Sequence, residues 1–208
     1  MIRDKVKRNV VDLCEIPEGR PGRPSHAMTL AQAEAVVNTA EKSPVRIRAY
    51  ILLSLLTGAR TEEVRALTWP HVVAFDEERK AWLRAVKALR QLREAQNEVR
   101  ADAGDEWTGG LVFSTKSGKP LTAHNVRRDF RKVLDRAGLV GREWSPREMR
   151  HSFVSVLSDP GVPIEDISRL VGHANTVVTE TVYRFQLRPV LLEGAKAMDS
   201  LFPDAGEA

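Results

Sequence analysis

The chain has 208 residues, of which 42% are hydrophobic and 29% charged, so it can form a packed domain and is not expected to be disordered. Its longest apolar run is too short to cross a bilayer, no apolar signal sequence follows its basic N-terminus, and its single cysteine excludes an intrachain disulfide. A net charge of +4 by itself distinguishes no class of partner. These features predict a soluble cytoplasmic protein.

Two segments precede the main body of the chain. Residues 1–14 carry apolar side chains at helical spacing, whereas residues 15–28 are rich in proline and glycine, a composition typical of linkers. A helix that leads straight into a linker has little to pack against. We therefore predict that 1–14 is the remnant helix of an upstream domain, that 29–202 forms the main domain and that 203–208 is a tail.

Helical patterns dominate the main domain. Thr29 and Gln32 form a capping-box pattern before the first apolar stripe, and Gly58 stands where the cap of the second helix belongs. Further helices are predicted over residues 44–57, 61–67, 77–101, 122–137, 163–171, 176–185 and 188–200. Two short segments, 71–75 and 111–113, are predicted as strands. The expected fold is mainly α with a small β element.

The clearest helix start follows Ser145, where a serine cap, a proline and Glu148 stand in the order typical of a first turn. Arg147, Arg150 and His151 have the spacing i, i+3 and i+4, which predicts that they share one face near the positive N-terminus. Two guanidiniums and an imidazole in that place suit an oxyanion. Surface salt bridges with neighbouring glutamates are the alternative interpretation.

Other candidate residues are weaker when each is taken alone. Arg60 follows the glycine cap of the second helix and stands three residues before Glu63, whose carboxylate is placed to hold its guanidinium. A structural clamp on backbone carbonyls is the alternative. His173 follows a glycine in a predicted loop, Tyr50 belongs to an apolar stripe, and Tyr183 lies late in the chain. No histidine pair has the spacing of metal ligands, so no metal site is expected.

Positive charge is concentrated in residues 124–150, which hold eight basic and four acidic side chains. Seven of the eight are arginines, whose planar guanidinium suits bidentate contacts with phosphate. The helix predicted over 122–137 carries the candidate nucleic-acid contacts, which are Arg127, Arg128, Arg131 and Lys132. A solvated helix face is the alternative.

Four short motifs stand in a fixed order along the chain. They are Thr57-Gly58-Ala59-Arg60, Arg147-Glu148-Met149-Arg150-His151, Leu170-Val171-Gly172-His173 and Tyr183. In this order they resemble the catalytic domain of the tyrosine recombinase (phage integrase) family. The match covers residues 29–202, and its detailed wording is similar to that of integrases of actinobacterial mobile elements.

The resemblance implies an enzyme that cuts and rejoins double-stranded DNA without a metal or other cofactor. Tyr183 would attack the scissile phosphate and form a 3′-phosphotyrosyl intermediate. The resemblance assigns stabilisation of the charged phosphate to Arg60, Arg150, His173 and Arg147. It assigns supporting roles to Glu63, which would orient Arg60, and to His151.

The same resemblance implies partners and an upstream domain. Members of the family act as tetramers on DNA, joined by exchanged C-terminal helices, which here correspond to 188–202. Residues 188–202 could instead pack within their own chain. Residues 1–14 would be the last helix of a core-binding domain, and the DNA-bound protein would lie at the nucleoid.

The sequence departs from the family pattern at two places. Arg147 stands where the family usually has histidine, and arginine does not readily accept a proton at neutral pH. The family also places a catalytic lysine on a β-hairpin, but only 42 residues separate Trp69 from Val112. The lysines in that gap, Lys80 and Lys87, lack the usual turn context, so the hairpin is expected to be shortened or absent and the general acid is unknown.

Three interpretations of function therefore stay open. The first is a site-specific recombinase catalytic domain, truncated or impaired. The second is a catalytically decayed module that binds DNA or an intact recombinase. The third is a nicking and closing activity similar to that of type IB topoisomerases.

Overall fold

The computed structural model describes residues 25–72, 83–104, 107, 109–158, 162, 166–167, 170, 194 and 196–203. Within them lie six α-helices: α1 (Leu30–Glu41), α2 (Val45–Thr57), α3 (Thr61–Ala66), α4 (Leu83–Ala103), α5 (Ala123–Arg136) and α6 (Glu148–Ser158). Single 3₁₀ turns lie at Trp69–His71 and Gly141–Glu143, and residues 166–167, 170, 194 and 196–201 are also helical. No helix in this part of the chain is both long and apolar enough to span a bilayer.

The local signals for helix ends are confirmed. Thr29 Oγ1 accepts a hydrogen bond from the Gln32 amide at 3.3 Å, and the Thr29 amide donates to Gln32 Oε1 at 3.0 Å. Gly58 ends α2 with φ +66°, and its amide donates to the Ser54 carbonyl. The predicted α1, α2, α3 and α5 are present within a residue or two, whereas the helix predicted over 176–185 lies outside the described residues.

Helix α2 is the centre of the fold. Its sequence is apolar on almost every side, and eight of its residues are buried, including Tyr50, Ile51 and Leu55. A helix that is hydrophobic all round must be covered on all sides, and α2 contacts each of the other five helices. The end of α2 is therefore rigidly held, which fixes the position of the motif that follows it.

The two predicted strands are wrong in extent. Leu111 forms an isolated antiparallel bridge with Thr68, and Ser114 forms another with Pro120, while 112–113 belong to no strand. The Val112 carbonyl accepts a hydrogen bond at 2.7 Å from the side chain of Gln96 on α4, so a helix side chain takes the place of a neighbouring strand. In the other segment His71 ends a 3₁₀ turn, and 73–75 lie outside the described residues.

The backbone at the start of α6 is wound more tightly than the regular α-helix that the sequence predicts. Three successive i→i+3 hydrogen bonds run from the amides of Glu148, Met149 and Arg150 to the carbonyls of residues 145–147. The helix therefore begins at Glu148, and Arg147 lies in the turn before it rather than on its first turn.

Residues that precede Thr29 are tied to α6. The Met28 side chain is fully buried, and its amide donates to Ser152 Oγ at 3.0 Å. The His26 amide donates to Glu148 Oε1 at 3.1 Å, and its ring lies edge-on to Trp144. The end of the proline- and glycine-rich segment thus packs on the main domain, while the division of the chain at Thr29 stays a prediction.

The last helical segment packs within its own chain. Asp199 Oδ1 accepts a hydrogen bond from the Leu83 amide at the start of α4, and Arg84 donates to the Pro203 carbonyl. Met198 and Phe202 are buried in the same core as the other helices. Of the two arrangements that the sequence left open for 188–202, residues 196–203 adopt the one in cis.

Candidate active site

Arg60 and Arg150, here called the arginine pair, meet beside the end of α2. Arg60 is the N-cap of α3, immediately after the turn that ends α2. Arg150 lies in the first turn of α6, and its Nη1 donates to the Gly58 carbonyl at 2.8 Å, across 92 residues of sequence. One glycine carbonyl therefore joins the two motifs that carry the arginines.

Glu63 holds Arg60 from the first turn of α3. Its Oε1 accepts from Arg60 Nη1 and its Oε2 accepts from the Arg60 amide, both at 2.8 Å. Partial burial acts to raise the pKa of Glu63, but the hydrogen bonds from Arg60 and the positive charges of the arginine pair outweigh it and lower that pKa. The carboxylate therefore stays ionised to a lower pH than that of a free glutamate, and it stays hydrogen-bonded to the Arg60 guanidinium.

The arginine pair is electrostatically coupled. Burial and then the positive charge of Arg60 lower the pKa of Arg150, while Glu63 opposes them. Arg150 nevertheless stays protonated, since arginine does not lose its proton in proteins. Two like charges that disfavour each other are relieved by an anion between them, so the pair is suited to bind a phosphate.

Position 58 requires glycine because of its backbone conformation and because a side chain there would have no space. Its φ of +66° is in the left-handed region, and a Cβ built there would lie 2.6 Å from the Phe153 ring of α6. The ring packs on the same turn whose carbonyl receives Arg150. The close approach of α2 and α6 thus depends on the absence of a side chain at Gly58.

Replacing Gly58 with alanine is expected to destabilise the protein more than the same change at Gly138. Gly138 also has a positive φ, +83°, but a Cβ there meets nothing within 4 Å, so it controls for backbone strain alone. Overpacking against Phe153 should add about 1–3 kcal/mol to the loss at Gly58. Urea denaturation of both variants measures the difference, and equal losses would contradict the proposed contact.

The other predicted site residues divide between described and undescribed positions. Arg147 is exposed in the turn before α6 and lines a cavity of about 340 Å³ with Arg127 of α5. His151 is exposed on α6. His173 and Tyr183 lie outside the described residues.

Of the two candidate general acids, only Lys87 is described, and it does not line the cavity beside the arginine pair. Lys80 lies outside the described residues. Lys87 lines a separate cavity of about 190 Å³ with Glu41 and Leu52. Leu52 lies six residues before Gly58 on α2, which is about 9 Å along the helix axis.

The four basic residues predicted to contact nucleic acid do not form one surface. Arg131 donates from Nε to the Trp144 carbonyl and from Nη2 to the Arg142 carbonyl, so it holds the loop before α6. Arg128 pairs with Asp129 at 3.2 Å. Lys132 lines a groove beside the start of α2, whereas Arg127 faces the cavity that contains Arg147.

The sequence predicted the place of Glu148 in the helix cap but not its burial or its contact with His26. It is only 2% exposed, and its Oε2 accepts from the Ser145 amide at 2.7 Å while its Oε1 accepts from the His26 amide. The interpretation as a surface salt-bridge partner is therefore wrong. The third position after a serine cap was the available signal, since a glutamate there reaches back to the cap amide.

A comparison with protein families decides what these motifs belong to. The model of the phage integrase family matches residues 26–187, which include both arginines and Tyr183. The chain belongs to the phage integrase family. The family predicted from the four motifs is confirmed, and so is the mainly helical fold.

Relatives within the phage integrase family extend the likeness. An integrase of Streptomyces ambofaciens is 52% identical over 97% of this chain, and a XerC-like tyrosine recombinase of Caldanaerobacter subterraneus is 28% identical over 56% of it. The chain spans 60% and 30% of those two proteins. The likeness to the Streptomyces integrase thus covers nearly all of this chain and the likeness to the XerC-like recombinase about half of it, and each covers only part of the relative.

Solved structures share the fold at low sequence identity. The catalytic core of lambda integrase covers 72% of this chain, and this chain covers 96% of that core, at 18% identity and a TM-score of 0.52. XerA recombinase covers 91% of this chain, which covers 67% of it, at 17% identity and a TM-score of 0.57. A lambda integrase dimer bound to a COC′ core site also matches, with a TM-score of 0.52.

The match with the Streptomyces integrase extends over 234 residues, whereas this whole chain has 208, so at least 26 positions of the match have no counterpart here.

Proposed function

We propose that this chain is the catalytic part of a site-specific recombinase that cuts and rejoins double-stranded DNA. The observation that carries the proposal is the arginine pair, held together by the Gly58 carbonyl and by Glu63. Two guanidiniums offer a fork of donors each to the non-bridging oxygens of one phosphodiester. The family membership supports the same chemistry.

Tyr183 is the proposed nucleophile. Its phenolic oxygen forms a bond to phosphorus as the bond from phosphorus to the 5′-oxygen breaks, which leaves a 3′-phosphotyrosyl link and a free 5′-hydroxyl. The reverse attack by a 5′-hydroxyl restores the DNA and frees the tyrosine, so no cofactor is consumed. The arginine pair and His173 stabilise the charge on the phosphate in both directions.

The composition of the chain supports this choice of nucleophile. The sequence contains two tyrosines, and Tyr50 is only 1% exposed, with its ring edge-on to Phe113 in the core. Burial raises the pKa of Tyr50 to about 12, which disfavours the phenolate that attack requires. Tyr183 is therefore the candidate compatible with access to DNA.

The proposed enzyme lacks an effective general acid. The expelled 5′-oxygen needs a proton, but Lys87 lies beside the middle of α2 and not at the arginine pair. The positions of the Streptomyces match that have no counterpart here support the prediction that the lysine hairpin is shortened or absent. We therefore propose an impaired first cleavage, with loss of general-acid catalysis slowing the step by about 10²–10⁴-fold.

DNA is the proposed partner, and assembly on it is proposed to require a change at the C-terminus. The structural neighbour bound to a COC′ core site is a dimer. In this chain 196–203 pack in cis against the start of α4, through Asp199 and Pro203. A tetramer joined by exchanged C-terminal helices therefore requires that these contacts open.

A covalent-trapping experiment tests the proposed function. Duplexes that this protein retains from a randomised library are nicked near the cleaved bond, so that a short fragment leaves and the phosphotyrosyl adduct accumulates. We expect a slow adduct on the ordinary phosphate and one at least about 10²-fold faster on a 5′-bridging phosphorothiolate, whose thiolate leaves without a proton. Denaturing gels measure both rates.

The outcomes separate the three interpretations. Retention of duplexes without an adduct on either substrate would indicate a decayed binding module. Equal rates on the two substrates would show that a general acid is present and would overturn the proposed impairment. Relaxation of supercoiled plasmid without any recombinant product would favour the topoisomerase-like activity.

A further inference from the structure

A second cleft lies beside the arginine pair and is not used by the proposed chemistry. It is the cavity of about 340 Å³ noted above, here called the α5–α6 cleft. Its walls come from the start of α3, the start of α5 and the turn before α6, and they include Thr61, Glu62, Ala123, Arg127, Ser145 and Arg147. Two arginines from distant segments of the chain thus face one space.

Neither of these arginines has a hydrogen-bond or ion-pair partner among the described residues, and both are exposed. Glu62 is an exposed carboxylate on the same wall, and two other charged groups at the cleft are engaged in hydrogen bonds. Arg65 donates from Nε and Nη2 to the Leu121 carbonyl, and Glu148 accepts from the Ser145 and His26 amides. Arg65 and Glu148 therefore hold the segments that line the cleft together. The guanidinium N–H groups of Arg127 and Arg147 are exposed and can donate to a ligand.

The cleft is adjacent to the arginine pair through the backbone. Thr61 on its wall directly follows Arg60, and Arg147 precedes Arg150 by three residues, with the Arg150 amide bonded to the Arg147 carbonyl. Phosphates follow one another along a DNA strand with a rise of about 3.4 Å. We therefore expect a strand whose scissile phosphate lies at the arginine pair to pass this cleft with a neighbouring phosphate.

We propose that the α5–α6 cleft binds a DNA backbone phosphate next to the scissile one, with Arg127 and Arg147 as its donors. This inference rests on the proposed function, because it takes the scissile phosphate to lie at the arginine pair. It gives Arg147, which replaces the histidine usual in the family, a role in holding DNA and not in the chemistry on the scissile phosphate. It also makes Arg127 a contact to the backbone, which carries no sequence information directly.

The test is a phosphate-by-phosphate binding experiment on the full chain with Tyr183→Phe, so that binding is measured without cleavage. The probes are library-selected duplexes in which one phosphate at a time, from two before to two after the scissile bond, is a neutral methylphosphonate. On the ordinary duplex, Arg127→Ala and Arg147→Ala are each expected to weaken binding about tenfold. When the phosphate adjacent to the scissile one is neutral, neither substitution should weaken binding further.

Arg128→Ala is the matched control, because it removes the same charge from the next position of α5 but from a side chain paired with Asp129. It should weaken binding less than either cleft variant and should not depend on which phosphate is neutral. The proposal is overturned if the two cleft variants respond to different phosphates, if Arg147→Ala responds to the scissile phosphate, or if Arg128→Ala equals Arg127→Ala. Failure of the proposed function is distinguishable, since it appears as the absence of an adduct with the unchanged Tyr183.

Discussion

Replacing Tyr183 with phenylalanine is expected to abolish the covalent adduct with DNA, whereas Tyr50→Phe should leave its rate nearly unchanged. The first substitution removes the oxygen that is proposed to bond to phosphorus. The second removes a hydroxyl that is buried in the core, where burial already holds the pKa of Tyr50 at about 12. Denaturing gels of the protein with the trapping duplex measure the adduct for both variants.

Tyr50→Phe is a demanding control because both variants lose the same hydroxyl. Its unfolding free energy, measured in urea, shows whether the core around Phe113 tolerates the change. An adduct that persists in Tyr183→Phe and disappears in a folded Tyr50→Phe would refute the assignment of the nucleophile. Digestion of the wild-type adduct should place the DNA on the peptide that contains Tyr183.

Replacing Arg150 with alanine is expected to lower the rate of adduct formation by about 10²–10³-fold, the usual effect of removing one donor from a developing oxyanion. The same change should also cost about 1.5–3 kcal/mol of stability, the usual contribution of a hydrogen bond from a charged donor, because it removes the contact with the Gly58 carbonyl. Single-turnover trapping measures the rate, and urea denaturation measures the stability.

Two further arms distinguish catalysis by Arg150 from a purely structural clamp. Arg142→Ala removes an exposed arginine from the same region and should change neither quantity by much. On a duplex with a methylphosphonate at the scissile bond, a methyl group replaces one non-bridging oxygen and the linkage carries no charge, so the penalty for Arg150→Ala should shrink. A penalty of the same size on both duplexes would instead indicate that Arg150 only holds α6 against α2.

Predictions from the sequence were correct where a few neighbouring residues determine the local structure. The capping box of Thr29 and Gln32 and the left-handed turn at Gly58 both depend on hydrogen bonds that close within four residues. The hydrophobic surface of α2 likewise showed that this helix must be buried. The order of the four short motifs sufficed to predict the family.

Signals failed where a distant partner decides between two local choices. Residues 111–113 have the composition of a strand, but Val112 is bonded through its carbonyl to Gln96 of α4 and through its amide to Leu67. Glu148 has the charge of a surface residue, yet the amides of Ser145 and His26 hold it in the interior. The distant partners, Gln96 for Val112 and His26 for Glu148, cannot be read from the residues that surround them in sequence.

The sequence by itself determined the helices, their caps, the order of the motifs and the presence of two tyrosines. Only the tertiary structure decided that Arg150 reaches the Gly58 carbonyl, that Arg147 leaves the helix to face Arg127, and that 196–203 pack in cis. The reason is physical. Helix caps form within one turn of backbone, whereas a shared site depends on how buried side chains such as Phe153 let whole helices approach each other.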